Sequence, residues 1–279
     1  MRIGNRRKIK FGTIFLYIIM FVLSIIWIYP YLWLFLASVK PSEEIFTRFL
    51  PTRLTLEHYQ FIFETATRME RPFIRALLNS IFIAFTITFS VVFTSAFIGY
   101  AISKLRYRGK NLVFNFIIFQ MLFPGFMFIV PLFVLIRTLG LLNSYSAIIL
   151  PSIISAWGVF MFAQSYKSIP QDYIEAAKID GANTFWIILR LMLPLTRSTA
   201  SIVGLFTFIG AWDNFMWPLI VMKDYQKMPL AVLLASFNHE YSSYVGPLMA
   251  GAVIQTIPMV LIFIAFRKYF LQGISMSLK

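Results

Sequence analysis

The chain has 279 residues, 59% of them hydrophobic and only 13% charged, with a mean hydropathy of +0.77. Soluble domains are roughly 45–50% apolar and about 25% charged, so a compact water-soluble fold is excluded and a bilayer-embedded one is expected. The net charge of +14 does not argue for nucleic acid: the basic residues cluster in short segments between long uncharged runs, as orientation signals of membrane proteins do.

Residues 1–10 form a basic segment, with Arg2, Arg6, Arg7, Lys8 and Lys10 and no acid. The apolar run that follows, Phe11 to about Leu36, exceeds the ~7–15 residues of a signal-peptide core and is expected to span and remain. Five further uncharged stretches follow, near Ala76–Ile102, Leu112–Ile136, Tyr145–Tyr166, Ser198–Met222 and Val245–Phe266. At about 1.5 Å per residue each is long enough to cross a hydrocarbon core of ~30 Å. An all-α membrane protein of six transmembrane helices between residues 11 and 270 is therefore expected, with a short tail over 271–279. Pro30, Pro124, Pro131, Pro151, Pro218 and Pro258 fall within these spans, where they either shape a cavity that opens and closes or set fixed packing kinks. Ser95 with Gly99 and Gly246 with Ala250 are small residues at helical spacing that let helices approach closely.

Charge between the spans gives the direction. The N-terminus, the second connection (Lys104, Arg106, Arg108, Lys110) and the tail (Arg267, Lys268, Lys279) are basic without acids. They alternate correctly for one side, so both termini are expected in the cytoplasm. The first connection balances Lys40, Arg48, Arg53, Arg68 and Arg71 against Glu43, Glu44, Glu57, Glu64 and Glu70.

The connection over 168–197 is long and mixed in charge. Pro170 suits a first helical turn, and Asp172 and Glu175 favour the positive end of its dipole. Gly181 can supply the positive φ that ends this helix, and Asn183 can cap a second one. Two short helices around a turn make a rigid knob at the cytoplasmic face. Its pattern, Glu175-Ala176-Ala177, Gly181 after three residues, then nine residues before Leu191-x-Leu193-Pro194, resembles the "EAA loop" of ATP-binding-cassette importer permeases. Leu191 stands where the family has Ile, a volume-conserving change. Asn79-Ser80, Ser103-Lys-Leu-Arg-Tyr-Arg-Gly109, Trp212-Asp-Asn-Phe-Met-Trp-Pro-Leu219, Met249-Ala-Gly251 and Arg267-Lys-Tyr-Phe270 are similar to the carbohydrate-uptake, maltose-type branch. Asp213-Asn214 departs from that branch, which has Asn and a variable residue there.

The resemblance implies a type I importer permease fold in a bacterial or archaeal cell (inner) membrane, importing a sugar or oligosaccharide. It implies a second permease subunit, two ATPase subunits that hold ATP and Mg, and an extracytoplasmic solute-binding protein. Glu175, Ala176, Ala177, Asp180, Gly181, Ala182, Leu191 and Pro194 are the expected contacts to the ATPase. Transport of glycerol phosphate or another non-sugar solute is the alternative, and an ion-coupled secondary carrier a more distant one.

Asp213 is the only ionisable residue within an expected span, and such residues usually face protein or water. With Trp212, Asn214 and Trp217 it is a candidate substrate pathway; an interfacial aromatic belt with a helix contact is the competing assignment. Asn238, His239, Glu240 and Tyr241 in the last outer connection are candidate contacts to the binding protein, or an ordinary solvated loop. No cofactor or metal is expected in the chain: it has no cysteine, and its two histidines lie far apart. Gly109-Lys110 lacks the earlier glycine and following Ser or Thr of a phosphate-binding loop, so the chain is not expected to be an enzyme.

Overall fold

The computed structural model describes residues 11–65, 68, 72–240 and 245–276. Every regular element among them is helical. In chain order the main helices are α1 (Phe11–Ser38), α2 (Phe73–Lys104), α3 (Lys110–Gln120), α4 (Ile129–Thr138), α5 (Tyr145–Ile149), α6 (Ala156–Lys167), α7 (Asp172–Ile179), α8 (Thr184–Leu195), α9 (Arg197–Trp212), α10 (Met216–Val221), α11 (Leu230–Glu240) and α12 (Val245–Met276). Four stretches are long and apolar enough to cross a membrane: Gly12–Ser38, Phe73–Lys104, Tyr145–Lys167 and Val245–Arg267. Two bent pairs, Lys110–Gln120 with Gly125–Thr138 and Thr184–Leu195 with Arg197–Trp212, bring the number to as many as six if each pair is one span.

The bends are where the structure departs from six plain spans. The third is two helices, Lys110–Gln120 and Gly125–Thr138, set at 96°. Pro124 disfavours helical geometry in the residue before it, and its ring fits the start of the next helix. The fourth breaks after Ser152, and Ser155 restarts it by accepting a hydrogen bond from the Gly158 N–H at 3.1 Å. The fifth ends at Trp212 and resumes at Met216. What reads as a polar outer connection around Phe237 is instead the end of α11.

The chain divides into two compact units, residues 1–65 with 237–254, and residues 66–236 with 255–279. In the first, α1 is exposed from Gly12 to Leu32, as a surface meant for lipid or another subunit is, and only its last turns pack on the segment that follows. The segment after it folds on a fully buried Lys40, whose ammonium donates to the Arg48 carbonyl at 2.7 Å. The His58 ring bonds the Lys40 carbonyl at 2.7 Å and lies flush against Gly246, where any side chain would overlap it. Bonds from the Thr52 hydroxyl and N–H hold the Glu44 carboxyl below its ordinary pKa.

In the second unit α2 is the central helix, packed between α6 and α9. Small residues set this contact, as their spacing predicts: Gly99 lies against Phe162 and Ala163, and Gly158 against Ser95. Ile83, Ile87, Val91, Phe162 and Val203 fill the core between them.

At one end of α2, Asn79 ties three chain segments together. Its amide donates to the carbonyls of Gln226 (3.1 Å) and Met228 (3.0 Å), and its oxygen accepts from the Tyr145 hydroxyl at 2.8 Å. Ser80 accepts from the Leu230 N–H at 2.7 Å. Nearby Asn143, at φ 64°, accepts from the N–H groups of Lys223 and Asp224 at 2.7 and 2.9 Å. Asn tolerates that left-handed geometry and its side chain here replaces missing backbone partners. Asn79→Leu strands these buried groups, so a loss of about 2–3 kcal/mol is expected. Thermal unfolding of the purified complex measures it, with Asn79→Asp losing at least as much, because a carboxylate oxygen would then face the two carbonyls.

Candidate functional site

Residues 168–197 form a two-helix elbow. α7 carries Asp172 and Glu175 in its first turn and ends in a paired-bond cap. The Ala182 N–H donates to the Ala177 carbonyl at 2.9 Å, and the Gly181 N–H to that of Lys178 at 3.0 Å. This closure requires a left-handed residue, and Gly181 sits at φ +81°. The Asn183 side chain then accepts from the Trp186 N–H at 2.8 Å and starts α8. α8 widens into π-type turns over Ile187–Met192 before Pro194, and α9 leaves it at 87°. Such widened turns recur at functional sites.

The elbow is clamped to the bundle at several points. Ile174, Ile187, Ile188 and Met192 are buried in the same core as Tyr100 and Tyr166. The Lys104 ammonium donates to the Ile169 carbonyl at 2.5 Å, and the Phe97 and Phe185 rings stand 5.5 Å apart. The Thr199 hydroxyl donates to Ser165 at 3.0 Å. Packed side chains thus join the elbow to α2, α6 and α9.

Of the residues the sequence singles out, Glu175, Ala176, Asp180, Gly181 and Pro194 are exposed, and Ala177, Ala182 and Leu191 are half-buried. An open-sided cavity of about 570 Å³ brings Ala176, Ala177, Asp180, Gly181, Ala182 and Leu191 together with Tyr173 and Trp186. The sequence does not single out Ile179, which at 87% is the most exposed large apolar residue among those described. Tyr173, Phe185 and Trp186 are at least half exposed beside it. With the polar residues around them they form an exposed apolar patch of the kind that interaction sites use. The available signal was an isoleucine in the last turn of a polar helix.

The four intramembrane candidates separate. Trp212 is buried, and its indole N–H donates to the Gln255 carbonyl at 3.1 Å. Trp217 is buried too, donating to the Ala147 carbonyl at 2.9 Å. Asp213 is exposed at the break after α9, and Asn214 is half-buried beside it. Asn238, His239 and Glu240 belong to the last turn of α11, with their side chains outside the described residues, as is Tyr241 altogether.

Apolar helices of spanning length with an anchored docking elbow define a multi-pass membrane protein that works with a partner. The family model for the binding-protein-dependent transport system inner membrane component matches residues 95–276, and this chain belongs to that family. It is 31% identical over 261 residues to the arabinooligosaccharides transport system permease protein AraQ of Bacillus subtilis, covering 92% of each chain. It is 29% identical to the lactose transport system permease protein LacG of Rhizobium radiobacter, covering 90% of this chain and 91% of that one. In fold it matches a crystal structure of a bacterial ABC transporter involved in the import of the acidic polysaccharide alginate, with a TM-score of 0.81, 23% identity and 97% and 100% coverage. The fold is that of an ABC importer permease.

Proposed function

We infer that this chain is a permease subunit importing a sugar or oligosaccharide, driven by separate ATPase subunits that bind ATP and Mg. The relatives named for arabinooligosaccharides and lactose support a saccharide over glycerol phosphate or an ion-coupled solute. One observation carries the coupling role: the capped elbow presents Ile179 and Gly181 outward while Ile174 and Lys104 root it in the bundle.

In this mechanism two ATPases close on ATP, drag the elbow of this chain and that of a second permease, and turn the bundle so the pathway opens to alternate sides. Glu175, Ala176, Ala177, Asp180 and Ala182 line the contact; Leu191 and Pro194 fix the second helix. The exposed α1 supports a second permease as neighbour. The acid-free basic connections support cytoplasmic termini and a cytoplasmic elbow, leaving the outer side for a binding protein.

The chain is free of cysteine, so Ile179→Cys introduces a single thiol. Bifunctional cross-linking in the assembled transporter is expected to join it to an ATPase subunit, with uptake requiring ATP. Cross-links only to an extracytoplasmic protein, or uptake driven by an ion gradient without ATP, would refute the assignment.

A further inference from the structure

We propose that this chain binds one anionic phospholipid where α2 gives way to α3. The phosphate sits in a basic cavity at the turn, and the acyl chains lie along the exposed face of α3. The site goes beyond the transport function above and is independent of which solute is carried.

The turn concentrates positive charge and leaves it unbalanced. It carries Lys104, Arg106, Arg108 and Lys110, and no Asp or Glu occurs between Glu70 and Asp172. The two lysines are spent on backbone. Lys104 donates to the Ile169 carbonyl at 2.5 Å, and Lys110 to the carbonyls of Ser103 and Leu105 at 3.2 and 3.1 Å. Such bonds orient an ammonium without neutralising it. Arg106 and Arg108 are exposed and make no hydrogen bond or ion pair among the described residues. Neighbouring cations repel one another, and an anion placed among them relieves that repulsion.

Fixing the direction of a membrane chain requires only charge, whereas here the charges line a space. Arg106, Tyr107, Lys110, Asn111 and Leu112 surround an open-sided cavity of about 370 Å³, within the size range of ligand sites. Gly109 shapes it, turning the chain into α3 at φ 83°. No side chain caps α3 there, so the unpaired N–H groups of its first turn add to the donors of Arg106 and Asn111. A phosphodiester brings only acceptors and one negative charge, which a guanidinium fork beside an ammonium matches. A choline or ethanolamine headgroup would carry a further cation into the cluster, so a headgroup without one, such as glycerol, fits better.

The apolar half of the ligand has a surface of its own. α3 packs on α6 through Phe114 and Ile117, which meet Val159 and Ala163, and the Phe114 ring stacks on Phe160 at 6.3 Å. That contact leaves Leu112, Phe116 and Phe119, which share one helical face, turned outward. Leu112 is 75% and Phe116 69% exposed, and Phe119 is exposed as well. This stripe starts at the cavity's own Leu112 and runs away from it along the helix. A soluble phosphate ester would fill the cavity and leave the stripe bare. A phospholipid uses both, and basic pockets at the ends of membrane helices hold such headgroups.

Native mass spectrometry of the assembled transporter, purified in detergent and titrated with phosphatidylglycerol, supplies the test. The parent complex is expected to retain one more phosphatidylglycerol per copy of this chain than a complex with Arg106→Gln and Arg108→Gln together. Neither arginine bonds within the described chain, so the thermal melt of the double variant should match the parent's. Arg106→Gln alone should weaken retention of that lipid by about five-fold, the effect of one cation at a membrane surface. Arg106→Lys should restore part of it, and Arg137→Gln, outside the cavity, should change nothing. Phosphatidylcholine of the same chain length should not occupy the site, and excess inorganic phosphate should not empty it. Equal retention of the two lipids, or retention unchanged in the double variant, would overturn the proposal. Displacement by inorganic phosphate would overturn it as well, by marking a site for a soluble anion.

Discussion

Gly181→Leu is expected to cut ATP-driven uptake by more than about ten-fold while the chain still inserts in the membrane. At φ +81° a leucine pays about 1–2 kcal/mol for left-handed backbone. The turn either bears that strain or relaxes, and relaxation breaks the two bonds to the Ala177 and Lys178 carbonyls that set the angle between α7 and α8. Among the described residues no atom lies within 4 Å of the position its Cβ would take, so clash with them adds nothing. The series separates the causes. Gly181→Asn tolerates the left-handed region and should retain most coupling if backbone strain dominates. If Asn fails as badly as Leu, the partner's groove is rejecting the side chain itself. Uptake and substrate-stimulated ATP hydrolysis at the normal level in Gly181→Leu would show that this turn transmits nothing.

The second large effect concerns stability. At Gly99 an added Cβ would stand 2.8 Å from the Phe162 Cβ and 3.1 Å from the Ala163 nitrogen. Neither contact is with the movable end of a side chain, so α2 and α6 must separate. Overpacking of this kind costs typically 1–3 kcal/mol, and Gly99→Leu should lie at or beyond the top of that range. Size-exclusion thermal melts of the purified complex should fall steeply for Gly99→Leu and measurably for Gly99→Ala. Gly12→Ala, where the space is open, should melt as the parent does. Equal melts for all three would mean that the close approach of α2 and α6 does not hold the unit together.

Much of this architecture is legible because its causes are local. A bilayer-spanning run needs only consecutive apolar residues, so the first, second, fourth and sixth stretches lie near where composition puts them. The elbow is also local chemistry: Gly181 closes one helix and Asn183 opens the next within a few residues. The breaks in the third, fourth and fifth spans are different. A proline inside a span kinks or continues it according to whether neighbours satisfy the carbonyl freed four residues earlier, as the Trp217 indole does for Ala147 ahead of Pro151. That partner is 70 residues away, and no window contains it. The same distance hides the fate of Trp212 and Trp217. In sequence both fit either a substrate pathway or an interfacial belt with a helix contact, and both spend their N–H on carbonyls from other helices. α11 is obscured because its apolar face, with Leu230, Leu233 and Phe237 buried, runs straight into a polar stretch.

The ties at Asn79, Ser80 and Asn143 carry a consequence for how the molecule moves. They staple the starts of α2 and α5, the end of α10 and the chain leading into α11 into one plate at the far end of α2 from Lys104. With one end of α2 held by Lys104 and Phe97 and the other fastened to such a plate, any tilt of α2 is expected to carry these segments along as one rigid piece, without a hinge opening among them.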